Sequence, residues 1–399
     1  MSEQRIRAAI VGCGVIGQHH ARVLAGHARF EVTALVDTTP ETADGVADIL
    51  ETLGAPRPTV SSTLDEVLVR GDVDLVVVCT PSGTHIDLAT EAVTAGLHTV
   101  VEKPLDVDLA KARRFADLAA DAAQRGIHVS VISQHRFDPA SVAVHRAVES
   151  GRFGRITSAV ASVAWWRSQG YYDGGDWRGT WALDGGGAVM NQGVHTVDLL
   201  CWFLGKPVDV HAHTALLAHD RLEVEDTAVA TVRFESGALA VVHATTAAYP
   251  GLTVRLQVHG STGSAIIDND RLEYFHAADG DAGGTSAYGA ITGGDVTGNL
   301  AQNEVGIEET TAVPRNEDAF AVAHGRQYDS IARSIDTGSA PGVSVQQALE
   351  SLALVRAIYL SSTLGRRVVI DDVLAGDYDA EQVHTGQADA AHLPAGAPS

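Results

Sequence analysis

The chain has 399 residues, 45% of them hydrophobic, and a formal charge of −22. That length supports two domains with separate cores, and the charge, with no basic block anywhere, excludes a nucleic-acid backbone as partner. The charged start "MSEQRIRAAIVG" argues against a secretory peptide, no uncharged stretch is long enough to span a membrane, and Cys13, Cys79 and Cys201 lack disulfide or zinc spacing. A soluble, cytoplasmic protein with reduced core thiols is expected.

From Ile6 to about Ser133, short β-branched runs alternate with amphipathic stretches: "IRAAIVG", "FEVTALVD", "DLVVVCT", "HTVVEK" and "IHVSVIS". Consecutive apolar positions are the mark of strands covered on both faces, so residues 1–133 are predicted to form a doubly wound parallel sheet. After Gly151 the strands lengthen and alternate, as in "RITSAVASVAWW", "DTAVATVRF" and "ALAVVHATT", with helices near 188–204, 317–336 and 344–364. Residues 134–375 are therefore expected to form an α+β domain on a mostly antiparallel open sheet. The aperiodic stretch from 277 to 316 reads as a long loop, either a lid or a subunit contact. Residues 376–399 carry little apolar surface and read as a disordered tail.

The first candidate site is "GCGVIG", in which Gly12, Gly14 and Gly17 fall between a predicted strand and a predicted helix, with Val15 and Ile16 opening that helix. Glycines there let main-chain amides approach a pyrophosphate. Asp37 ends the second strand about twenty residues on, where a carboxylate binds ribose hydroxyls and repels a 2′-phosphate, favouring NAD over NADP. "CTPSGTH" ends the fourth strand and places Thr80, Pro81 and His85 at the nicotinamide half of the crevice. The alternative for His85 is a local hydrogen bond at a helix start.

"EKPLDVD" closes the fifth strand at the same crevice, making Glu102 and Lys103 cofactor-side candidates. Pro104 keeps Lys103 out of helical backbone, so its ammonium projects toward the nicotinamide. There, burial and a positive nicotinamide ring lower a lysine pKa toward the range useful for proton transfer. In "WRGTWALDGGGAVMNQGVHTVDLLCWFLG", Asn191 and His195 are four apart and share a helix face. One histidine with one amide is a poor metal set, so no metal is expected. His211 and His213 share a strand face without a third ligand and read as solvated.

Taken in order, GCGVIG, "TPSGTH", "EKP", "HRF", the GGG-to-HxxD helix, "EDTAVATVRFESGA" and "VHGSTGSAII" make the chain similar to the glucose-fructose oxidoreductase, inositol dehydrogenase and MocA-like family from Ile6 to about Ile370. The wording around Gly185–Gly187 resembles the branch with UDP-N-acetylaminoglucuronate dehydrogenases. The resemblance implies a Rossmann domain, a second domain whose sheet makes subunit contacts in a dimer or tetramer, and NAD(P)-linked redox chemistry at a secondary hydroxyl of a sugar or cyclitol. It implies Lys103 as the lysine near that hydroxyl and His195 as its acid/base companion. Trp177 and Arg178 match a pair beside the nicotinamide carboxamide.

Many inositol-type relatives have Asp where this chain has Asn191. An amide takes no proton, so Asn191 is expected to orient the sugar instead. Arg136 and Arg167 are candidates for an anionic substituent, with structural ion pairing as their alternative. Two further functions fit the same cofactor half: glycoside cleavage through transient sugar oxidation, and a non-catalytic dinucleotide sensor. A sensor needs neither Lys103 nor His195.

Overall fold

In this computed structural model, residues 4–175, 177–278, 298–312 and 318–387 are described. The first half holds strands β1 (Ile6–Val11), β2 (Phe30–Val36), β3 (Thr59–Ser61), β4 (Leu75–Val78), β5 (His98–Val101) and β6 (Val129–Val131). Between them run α1 (Val15–Ala25), α2 (Pro40–Thr52), α3 (Leu64–Arg70), α4 (His85–Thr94) and α5 (Leu109–Gln124). The parallel order is β3-β2-β1-β4-β5-β6, with Val11 opposite Val36 on one side and Val78 on the other. The order reverses between β1 and β4, and ligands of such sheets lie beyond the strand ends at that point. All four residues of β4 are buried, as expected of a strand covered by helices on both faces.

After α6 (Pro139–Glu149) comes the long strand β7 (Ile156–Ala164), then α7 (Gln169–Tyr172), a π-helical turn at Ala188–Gly193 and α8 (Val194–Leu204). Strands β8 (Pro207–Leu216), β9 (Thr227–Phe234), β10 (Leu239–Thr245), β11 (Val254–Gly260), β12 (Gly263–Asp268) and β13 (Arg271–Ala277) build the second sheet. After α9 (Ala301–Glu304), α10 (Ala319–Thr337) and α11 (Val345–Leu364) it is completed by β14 (Val368–Val369) and β15 (Gly386–Gln387), with α12 (Ile370–Ala375) between these two strands. Its path is β13-β12-β11-β7-β10-β9-β8-β14, antiparallel except where β10 runs alongside β7 and β15 alongside β8.

In β9, buried Ala228, Ala230, Val232 and Phe234 alternate with Thr231 and Arg233 on the exposed face. Small inward residues such as Ala161, Ala230 and Ala244 let α8 and α11 approach the sheet closely. The opposite face leaves Val229, Leu239 and Val241 exposed. Helices α10 and α11 return to the first half. Tyr328, Ile331 and Ala332 of α10 join the core under β1 and β2, and α11 packs against α5 as well as β8.

Three expectations change. The third strand, β3, was not located in the sequence because "TVS" is too short to show a period. The tail is ordered through Gln387: Val383 is buried, Arg113 pairs with Asp379, and Gly386 aligns with Ala215 of β8. Tyr378 packs on the core as well, and Thr363 and Glu223 hydrogen-bond to His384 and Thr385; composition alone does not register such contacts. Residues 388–399 lie outside the described residues, as do 279–297 and 313–317 of the expected loop. Its described part includes α9 and a 3₁₀ turn at Ile307–Glu309.

Candidate active site

One cleft of about 1300 Å³ runs from the ends of β1, β2 and β4 to the inner wall of the second sheet. That exceeds the usual small-ligand pocket and suits a dinucleotide together with a second molecule. The three glycines of the first loop each have a separate reason to be glycine. Gly12 has φ +91°, and a Cβ there would meet the Cys79 carbonyl at 2.8 Å. A Cβ on Gly17 would stand 1.8 Å from the Gly12 carbonyl oxygen, so α1 can sit against the loop only because it is absent. Gly14 faces nothing within 4 Å and lines the cleft, leaving an open cradle over the uncapped start of α1. Its free amides are an anion site, and a dinucleotide pyrophosphate fits there.

Val15, 87% exposed in an otherwise apolar helix start, and Ile16 also face this space. Asp37 accepts from Cys13 N–H at 2.8 Å and Thr39 N–H at 2.9 Å. It fixes the loop while its remaining lone pairs stay available to ribose hydroxyls. Thr80 and Pro81 line the next stretch of wall. His85 lines it too, but its ring nitrogens lie 2.8 Å from the carbonyls of Pro104 and Thr80. The ring is a brace between two strand ends, which is the local hydrogen bond considered above in extended form.

In "EKPLDVD" each carboxylate has a structural task. Glu102 is buried; His20 Nε2–H donates to it at 2.8 Å, and the hydroxyl of Tyr328 donates to the other His20 nitrogen at 2.8 Å. Burial alone would raise the Glu102 carboxyl, but the His20 bond and the nearby positive charges outweigh it and hold it down to about 2. Asp106 accepts from Val107, Asp108 and Ile86 N–H, and Asp108 caps α5 through Lys111 N–H. Lys103, followed by a cis bond to Pro104, lines the cleft beside Glu102, and its Nζ donates to the main-chain carbonyl of Asn191 at 3.2 Å.

The opposite wall is the π-turn and α8. Glu225 anchors the turn, accepting from Gly187 N–H at 2.9 Å and Val189 N–H at 2.8 Å. Asn191 and His195 both reach the cleft. The Asn191 amide donates to Asp184 at 2.8 Å. Burial pushes Asp184 up to about 6, against the Gly179 N–H bond and the Lys103 charge. An ionised Asp184 only accepts, which turns the Asn191 carbonyl oxygen away from it. His195 has no protein hydrogen-bond partner among the described residues. Burial, and then the charges of His135 and Lys103, push it well below the usual histidine value.

Trp177 and Arg178 line the cleft, with the guanidinium 4.6 Å from the Trp177 ring centroid and 4.9 Å from that of Tyr171. Arg167 stacks on Trp165 and Tyr171 without a carboxylate partner among the described residues, and it is not part of the cleft lining. The assignment of Arg136 to a substrate anion needs correction. Its guanidinium is buried, bidentate to Asp198 at 2.6 and 2.7 Å and absent from the cleft lining, so it does not face a ligand there. His211 and His213 stand exposed on the outer sheet face.

Sequence reasoning missed Gln134, His135, Asp184, Asn269, Asp270 and His324. Asp184 sat unnoticed beside the three glycines, and Asn269–Asp270 carried only a turn signal. Among the described residues, two triads bring their nitrogen and carboxylate atoms within 4.8 Å of one another, His20–Glu102–His324 and His135–Asp138–Asp270. In each, a histidine nitrogen already faces a carboxylate as an ion-pair or hydrogen-bond partner.

Comparison with known proteins agrees with this geometry. Residues 6–131 match the model of an oxidoreductase family with an NAD-binding Rossmann fold, and residues 141–266 match the GFO/IDH/MocA C-terminal domain. An inositol 2-dehydrogenase of Rhizobium meliloti is 29% identical over 69% of this chain and 79% of its own length. A scyllo-inositol 2-dehydrogenase (NAD(+)) of Bacillus subtilis is 27% identical over 68% and 76%. Among solved structures, the WlbA dehydrogenase of Bordetella pertussis, in complex with NADH and UDP-GlcNAcA, is 32% identical. It superposes with a TM-score of 0.77 over 92% of this chain and 99% of that one. With both of its halves matched, the chain belongs to the GFO/IDH/MocA family of NAD-binding oxidoreductases.

Proposed function

We propose that Lys103 and His195 form the proton-transfer pair of this dehydrogenase, with Asn191 orienting the substrate. One observation supports the reading above the others: two groups far apart in sequence, one from the end of β5 and one from α8, line a single cleft beside Gly12 and Gly14. NAD held by the Gly12–Gly17 loop and Asp37 would supply the acceptor for the hydride of the hydroxyl-bearing carbon. The hydroxyl proton passes to His195 or Lys103, whichever the substrate pose brings within about 3 Å. The Asn191 carbonyl oxygen, turned from Asp184, accepts from a second substrate hydroxyl. Trp177 and Arg178, which line the same cleft, would hold the nicotinamide carboxamide.

The substrate class remains to be narrowed by experiment. Relatives named for inositol and a neighbour holding UDP-GlcNAcA motivate both cyclitols and nucleotide sugars as test ligands. We also infer a division into two domains near residue 133 and assembly as a homo-oligomer through the exposed face carrying Val229, Leu239 and Val241. A cytoplasmic location is in keeping with three free, buried cysteines. No described helix is long and apolar enough to cross a membrane.

A thermal-shift screen of sugars, cyclitols and nucleotide sugars with NAD present tests the reading, because ligands that bind only the native state raise its apparent stability. The expected outcome is a small set of stabilising ligands that also drive NADH formation. Stabilisation by NAD alone, with no turnover of any polyol or sugar, would contradict it.

A further inference from the structure

His135 has no part in the reaction described above, yet its ring lies in the cleft wall, 4.9 Å from the His195 ring and edge-on to it. Two carboxylates from separate elements converge on one of its nitrogens. Nδ1 stands 2.9 Å from Asp138 at the start of α6 and 3.0 Å from Asp270 in the turn between β12 and β13. That turn has left-handed backbone at two non-glycine residues, Asn269 with φ 46° and Asp270 with φ 66°. Such a conformation is uncommon outside glycine, and here it delivers Asp270 to the ring.

The second nitrogen is matched as well. Gln134 is buried with its amide nitrogen 3.3 Å from His135 Nε2, while its amide oxygen has no partner. The two ends of an amide have the same shape, and turning it over lets the orphaned oxygen accept from His135 Nε2–H. Both ring nitrogens then face acceptors, which only the imidazolium satisfies. The charged surroundings agree: Asp138 is 3.5 Å from Arg326 of α10, which also pairs with Glu309 at 2.8 Å, so three carboxylates surround Arg326 and the His135 ring. His195, for its part, is faced by His135, by Lys103 from the end of β5 and by His324 of α10.

We propose that His135 is a positioning residue, a fixed imidazolium held by Asp138, Asp270 and Gln134 that orients His195 and keeps its ring neutral as a proton acceptor. The proposal rests on the reading of His195 as acid/base. Burial opposes a charge on His135, but Asp270 and Asp138 outweigh it and raise the group to about 10. A positive charge at that distance makes a second proton on His195 costly.

The test uses the NAD-saturated protein. Histidine NMR titrations of wild type are expected to show His135 as imidazolium through pH 8 and His195 neutral down to pH 6 or below. His135→Gln and Asp270→Asn are both expected to move the acid limb of kcat/KM upward by about one pH unit or more, with NAD affinity little changed. A merely structural role would lower kcat without moving that limb. The proposal is overturned if His135 titrates below pH 7, if the limb stays in place in both variants, or if the triad holds a stoichiometric metal removable by EDTA. Turnover retained by His195→Asn would instead remove the acid/base reading, and the NMR result would still report whether His135 is charged.

Discussion

The two ends of the cleft are built on opposite principles. At the cofactor end, recognition rests on missing side chains: Gly12, Gly14 and Gly17 clear space, and main-chain amides face the ligand. At the proposed substrate end it would rest on side chains brought in by separate elements: Lys103 from the end of β5, Asn191 from the π-turn, His195 from α8, and His135 with Asp270 behind them. The first needs only local chain geometry, whereas the second needs several elements to arrive together. Substitutions at the first end should therefore act through NAD binding, and at the second through turnover and pH.

The largest expected effect is at Lys103. Replacing it by Met should lower turnover by about 10²- to 10⁴-fold, the usual value of a positioned acid/base, with NAD affinity preserved in a fluorescence titration. Near-normal turnover would erase the contrast between the two ends. Next comes Asp198→Ala, which strands the buried Arg136 guanidinium and should cost about 3–5 kcal/mol in denaturant unfolding. A loss confined to substrate KM would instead return Arg136 to the site.

Gly17→Ala puts a methyl carbon against the Gly12 carbonyl and should cost about 1–3 kcal/mol of stability, with weakened NAD binding. Unchanged NAD affinity would show that the loop tolerates movement. The smallest effect is at Asp184. Asp184→Asn frees the Asn191 amide to turn, and about tenfold in substrate KM is expected, near the value of one hydrogen bond.

Asp184 also offers a pH test. Its folded pKa of about 6 lies above the ordinary 3.8, so the fold favours the protonated form over that interval. Stability contributed this way is full below pH 3.8 and is lost as pH rises toward 6, at up to about 1.4 kcal/mol per pH unit. Asp184→Asn should flatten that decline in urea midpoints measured between pH 4 and 6, and an unaltered slope would assign it to other groups.

The same contrast explains what could be read from sequence. Gly12, Gly14, Gly17 and Asp37 lie in one strand-turn-helix unit, so their spacing already carries their geometry. Lys103 was legible because a proline fixes its backbone at a strand end. Of the two readings of Arg136, the structural ion pair holds; its partner, Asp198, lies on another element, and nothing in "HRF" tells an inward guanidinium from a ligand-facing one. Asp270 and His324 reach the cleft wall from late in the chain, through a turn and a helix whose placement depends on the whole second domain. The outward and inward faces of the open sheet, by contrast, were plain from the period of two in "DTAVATVRF".

The most direct test is the structure of the ternary complex with NAD and a stabilising sugar or cyclitol from the screen. The account predicts Lys103 Nζ and a His195 ring nitrogen both within about 3.2 Å of one hydroxyl, on the carbon facing the nicotinamide. A ligand whose reactive carbon is touched by neither group, or with either side chain turned to bulk water, would contradict it.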